Sequence, residues 1–109
     1  MGTESGLTLV GVLKLNEQAV LLDIGDGVGA LIVYTSSGLD GREIEVSQVG
    51  ATARIHTVVH ARDVDGRTIF AGVFPSLPAG DYTIWSDDST RNRTVTIVSG
   101  LVAEVDLRA

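Results

Sequence analysis

Cysteine is absent from this chain of 109 residues, which excludes a disulfide framework and a thiolate zinc site. Proline occurs only at Pro75 and Pro78, and aromatic residues make up 5% of the chain, with Trp85 the single tryptophan. Basic residues are scarce: 8 Lys and Arg face 14 Asp and Glu, a formal net charge of −6. That balance argues against nucleic acid or an anionic membrane surface as the main partner. No apolar run reaches the roughly 18 residues of a membrane span. The first residues lack a signal-peptide pattern, and a myristoylation motif would need Ser or Thr where Gly6 stands. A cytoplasmic protein is the expectation. There is no Gly-x-Ser-x-Gly elbow, phosphate loop or dinucleotide fingerprint, so no nucleophile motif and no cofactor is indicated.

What is present is the vocabulary of β structure. Thirteen glycines accompany abundant Val, Thr and Ile. The length suits one domain, which would bury about 65% of its unfolded surface and needs no covalent staple. Residues 1–6 read as a polar tail and 7–109 as the domain. No internal repeat or linker divides it.

The stretch Phe74–Trp85 organises the rest. Two prolines three residues apart are expected to stop a regular ladder, because proline lacks the N–H a central strand donates. Leu77, the one apolar side chain between them, is expected to plug the end of the core. Gly80 accepts whatever backbone angle restarts the chain. Beyond it a period of two sets Tyr82 and Ile84 on one face and Asp81, Thr83 and Trp85 on the other. A Tyr two residues after such a Gly predicts a tyrosine corner, its hydroxyl bonded to backbone just upstream. Leu77, Pro78, Gly80 and Tyr82 are therefore the expected structural corner.

The run from Leu77 to Ile84, then Thr94 to Val98, Gly100, and Val102 to Leu107 resembles the closing half of carboxypeptidase-regulatory-like or prealbumin-like (transthyretin-like) β-sandwich domains. The resemblance covers roughly the last third of the chain. It implies an accessory, binding or structural module. Transthyretin-related hydrolases share that architecture but close on Tyr-Arg-Gly-Ser, whereas this chain closes Val105-Asp106-Leu107-Arg108-Ala109. Their activity is not carried over.

Along the chain, Leu7–Leu15, Gln18–Ile24 and Gly29–Tyr34 are apolar on both alternating faces. Asn16–Leu22 also admits a short helix capped by Asn16, although flanking strands leave it little length. Asp23–Gly29 reads as a hairpin loop and Thr35–Gly41 as a loop. Alternation is cleaner afterwards: Ile44 and Val46 inward against Glu43, Glu45 and Ser47, then a turn at Val49–Thr52. Residues 54–62 read as one strand, with Ile55, Thr57, Val59 and Ala61 inward and Arg54, His56, Val58, His60 and Arg62 outward. Asp65-Gly66 is a tight-turn signal, Asp87–Thr90 a loop, and Ala103, Val105 and Leu107 the inward side of the closing strand. Eight or nine strands at spacings near ten residues predict an all-β, single-domain antiparallel sandwich of Greek-key, prealbumin-like type.

Few residues suggest chemistry. His56 and His60 are four apart, a metal-ligand spacing on a helix, but on a strand this sets them about 13 Å apart, beyond one ion. Arg54, His56, His60 and Arg62 together form a basic stripe on an acidic protein. It reads either as cross-strand pairing with Glu43 and Glu45 or as a docking face for an acidic segment. Aspartates gather in loops, at Asp23 with Asp26, Asp63 with Asp65, and Asp87 with Asp88. The Asp63 run departs from a calcium loop, with Thr68 and Phe74 where Gly and Glu belong, and turn aspartates commonly bond their own backbone. No metal site is expected. Asn92-Arg93-Thr94 matches a glycosylation sequon, read as incidental. Trp85 either caps the core edge or anchors a partner.

The expected function is a non-catalytic binding or assembly module, with Arg54, His56, His60, Arg62 and Trp85 as candidate binding residues. The alternative is a small-ligand or metal-assisted enzyme using His56 or His60 with a loop aspartate; a third reading is a structural subunit of an oligomer. A partner is expected because Val10 and Val12 oppose Leu9 and Leu13, and Leu31 and Val33 oppose Ala30 and Ile32. A monomeric two-layer sandwich would leave one such face in water. A second copy in a closed symmetric dimer is the expected cover, with a different protein or a barrel-like closure within the chain as the alternatives.

Overall fold

A computed structural model describes residues 9–15, 18–85 and 93–108; within the first two strands, the described side chains are those of Leu22 and Ile24. The strands are β1 (Leu9–Leu15), β2 (Gln18–Ile24), β3 (Val28–Thr35), β4 (Glu43–Gln48), β5 (Ile55–Val58), β6 (His60–Val64), β7 (Arg67–Pro78), β8 (Gly80–Trp85), β9 (Arg93–Ile97) and β10 (Val102–Asp106), with one 3₁₀ turn at Ser37–Leu39. Eight of them form a sandwich of two four-stranded sheets, in the orders β10-β3-β7-β6 and β5-β4-β8-β9. β10-β3-β7-β6 is the first sheet and β5-β4-β8-β9 the second. β1 and β2 form a separate antiparallel hairpin. The segment that also admitted a short helix is therefore strand from Gln18 onward. The polar tail 1–6 and the Asp87–Thr90 loop lie outside the described residues. No helix among the described residues is long and apolar enough to cross a membrane.

The core between the sheets contains Leu31 and Val33 of β3, Ile44 and Val46 of β4, Phe74 and Leu77 of β7, Tyr82 and Ile84 of β8, with Val59 and Ile97. Ala103 and Val105 of β10 and Leu107 just beyond it pack against this core, as their alternation predicts. A second cluster lies on the outer side of the first sheet. Leu22 and Ile24 of β2 are buried there against Ala30 and Ile32 of β3 and Ala71 and Val73 of β7. Burying a side chain of this size contributes roughly 1.5–3 kcal/mol. The molecule is thus three layers deep where the hairpin sits. The two apolar faces of β3 are both covered within the chain, so β3 does not call for a second copy. The expectation resting on Val10 and Val12 falls on side chains outside the described residues.

Four other expectations need correction. The pairing is not wholly antiparallel, since β10 runs parallel to β3. The ladder does run through the prolines: Val28 pairs with Pro78 and Gly29 with Leu77, and the register shifts before Leu31 pairs with Phe74. Pro75 and Ser76 stand opposite Ala30 alone, a β-bulge that accepts a residue with no N–H to give. Ala30 N–H turns instead to Leu101 C=O at 3.0 Å. The strand predicted over 54–62 is two strands: β5 belongs to the second sheet and β6 to the first. The switch occurs at buried Val59, whose N–H donates to Arg42 C=O and whose C=O accepts from Gly41 N–H, both at 2.9 Å. Those bonds leave Val59 no ladder partner. Finally, the turn at Asp26-Gly27 is tight, with Gly25 and Val28 exchanging bonds of 2.6 and 3.2 Å, yet β2 pairs with β1 rather than β3.

The corner forms as predicted. β7 ends in one sheet at Pro78 and β8 begins in the other at Gly80. Tyr82 O–H donates to Pro78 C=O at 2.7 Å, with its ring buried in the core, and burial raises its pKa. Leu77 is fully buried. Gly80 has φ +147, a region side chains avoid. Gly29 has a different reason: a Cβ there would lie 2.5 Å from Val98 C=O and 2.9 Å from Leu101 C=O. Its lack of a side chain lets the β9–β10 connection cross over β3.

Candidate functional site

β4, β5, β8 and β9 place alternate residues on the outer face of the second sheet. Register sets His56 beside Glu45 and Glu45 beside Trp85, with Ser47 beside Thr83 and Asp81 beside Thr96. Directly opposite residues share a face, so these overlapping rows make one outer face to which all four strands contribute. Glu43, His56, Asp81, Thr94 and Thr96 on this face are all exposed.

Trp85 is the fixed point of that face. Its Nε1–H donates to Ser47 Oγ at 2.9 Å, and Ser47 is buried. The Arg54 guanidinium lies 4.2 Å above the ring centroid, while its Nη1 donates to Glu45 Oε1 at 2.9 Å. Stacking plus the ion pair holds Arg54 in one orientation, with the cation drawn to the negative face of the indole. His56 Nε2 stands 4.0 Å from Glu43 Oε2 at a well-exposed position. Trp85 therefore faces outward as alternation predicts, and is half-buried by its neighbours.

The basic stripe does not exist as one surface. Arg54 and His56 lie on the outer face of the second sheet, paired with Glu45 and Glu43. His60 and Arg62 lie on β6, across from Ala71 and Ile69, on the outer side of the first sheet. The chain changes sheets at Val59, which sends the two halves to opposite sides of the sandwich. Arg62, predicted outward, is buried, and its Nε donates to Ala71 C=O at 3.4 Å. Burial lowers its pKa, although a guanidinium stays charged. His56 and His60 thus share no site.

Among the described residues no group of three or more His, Cys, Asp or Glu is placed to hold a metal ion. Asp63 accepts from Thr68 Oγ1 at 3.0 Å across the turn that ends β6, a local role. Asp23 and the Asp87–Asp88 pair lie outside the described side chains.

In the sequence, Asp81 is distinguished only by its outward position. An open depression of about 310 Å³ is lined by Val49, Asp81, Thr94, Val95 and Thr96 and contains no histidine. Asp81 Oδ1 accepts from Thr96 Oγ1 at 2.7 Å, and Val49 N–H donates to Asp81 C=O at 2.8 Å. Alternation from Asp81 to Trp85 was the available signal, since it sets both on one face.

No protein-family model and no curated protein matches the chain. Among solved structures it is similar to part of a leucine-rich repeat protein from Bacteroides thetaiotaomicron, at 18% identity and a TM-score of 0.48, covering 76% of this chain and 12% of that one.

Proposed function

We propose that the protein is a non-catalytic binding or assembly module of prealbumin-like type that meets a partner protein through the outer face of its second sheet. The observation that carries this reading is the Trp85–Arg54 pair. Tryptophan and arginine are the residues that most often dominate interface energetics. Here both are ordered before any partner arrives, by Ser47 beneath and Glu45 beside. Side chains already held in one geometry lose little entropy on binding.

The test is the mass of the native protein and its captured partners in solution, compared with Trp85→Ala and Arg54→Ala variants whose fold is checked by circular dichroism. A complex of defined mass that is lost in the Trp85→Ala variant supports the reading. A complex that forms equally well in both variants refutes it for this face.

A further inference from the structure

We propose that the depression beside Asp81 receives the guanidinium of an arginine side chain from a partner polypeptide. The proposal rests on the binding reading of the same outer face and names the chemistry of one contact on it. Three features of the site point to that group. The first is charge. Asp81 is exposed, and among the described residues no Lys, Arg or His lies within ion-pair distance of it. Elsewhere on this face the acidic groups Glu43 and Glu45 do have such partners.

The second is orientation. Thr96 Oγ1 donates to Oδ1 at 2.7 Å, and the Val49 N–H holds the Asp81 backbone at 2.8 Å. The carboxylate is therefore aimed before a ligand arrives, with the Oδ2 lone pairs and the remaining one on Oδ1 left to accept. A planar guanidinium, which presents parallel N–H groups, suits such an acceptor better than a point charge does. The third is shape. About 310 Å³ lies at the lower end of ligand-pocket sizes, enough for one side chain. Val49, 60% exposed, provides apolar wall for an aliphatic stem, and Thr94 offers a hydroxyl acceptor at the rim.

The probe is N-acetyl-arginine amide, titrated into the ¹⁵N-labelled protein at neutral pH and low salt. The expected result is a saturable shift of the Val49, Asp81, Thr94 and Thr96 amides that weakens as salt is raised. N-acetyl-norleucine amide, with a stem but no charge, should bind at least tenfold more weakly. N-acetyl-lysine amide should fall between them. Asp81→Asn should weaken arginine binding at least tenfold while leaving the spectrum dispersed. Thr96→Val, which frees the carboxylate to rotate, should weaken it severalfold. Arg67→Ala, at the start of β7 in the first sheet and away from this face, should leave it unchanged. Absence of a saturable shift, equal binding of norleucine amide, or full binding to Asp81→Asn would overturn the proposal. A partner complex that depends on Trp85 and persists in Asp81→Asn would retain the binding reading and remove only the arginine contact.

Discussion

The two outer faces of this sandwich are built on opposite plans. The first sheet turns Ala30, Ile32, Ala71 and Val73 outward and buries them under Leu22 and Ile24 of the hairpin. The second sheet turns Glu43, Glu45, Asp81 and Thr96 outward into solvent. One consequence is visible along single strands. Between Gly29 and Val33, β3 is buried at every position, whereas β4 shows buried Ile44 and Val46 between more open glutamates. A sheet strand loses its alternation when both of its faces are covered, and the cover need not come from another molecule.

Substitutions that introduce the same charge on each face are the strongest test of this contrast. Ile32→Asp places a carboxylate beneath the hairpin and should destabilise by about 3 kcal/mol or more, as an uncompensated buried charge does. Thr83→Asp on the bare face should stay within about 0.5 kcal/mol. Matching urea midpoints for the two would mean that the hairpin does not seal the first sheet. Where the sheets meet at the corner, Gly80→Val meets Gln48 and a backbone at φ +147, and should cost about 1–3 kcal/mol. Tyr82→Phe removes one internal hydrogen bond and should cost about 1 kcal/mol. Both are read from denaturant midpoints, and the order of the two would sink the corner argument if reversed.

Arg54→Glu on the bare face should change stability by less than about 1 kcal/mol, since the pair it breaks is solvent-exposed. Its effect belongs in partner association and in the salt dependence of that association. The smallest expected effect is at the edge strand. Arg108, hydrogen-bonded at 2.7 Å, lowers the Asp106 pKa from 3.8 to about 2. A carboxyl with a depressed folded-state pKa adds stability above its unfolded value and loses it as pH falls through the folded one. A slight decline between about pH 4 and 2 should therefore flatten in Asp106→Asn, as followed by acid titration of tryptophan fluorescence.

Most of the sandwich can be read from local chemistry. Tyr82 after Gly80, the Asp65-Gly66 turn and the alternation of β4, β8 and β10 each depend on residues close in sequence, where turn geometry and the period of two operate. The break at Val59 could not be read that way. Inward–outward alternation continues through 55–62 as if one strand ran on, and what divides it is a pair of backbone bonds to Gly41 and Arg42. The apolar doublet Val58-Val59 was the only local trace. Pro75 misled for the opposite reason: the lone Ala30 across from it, which makes room for a bulge, is distant in sequence. On the candidate face, Glu43 and Glu45 pairing with His56 and Arg54 was legible from strand order. The Asp81 depression was not, because Val49 reaches it from the end of a different strand.

The parallel pairing of β10 with β3 also orders events during synthesis. β3 emerges before either of its sheet neighbours, and its Ala30–Val33 run is one of the most apolar in the chain. Its neighbour β7 follows within the next few elements, but the other edge stays open until β10 has been made. An unpaired apolar edge is a template for pairing with another chain. Nascent chains halted before Val102 should therefore cluster on crowded ribosomes, and the exposure ends only when β10 docks.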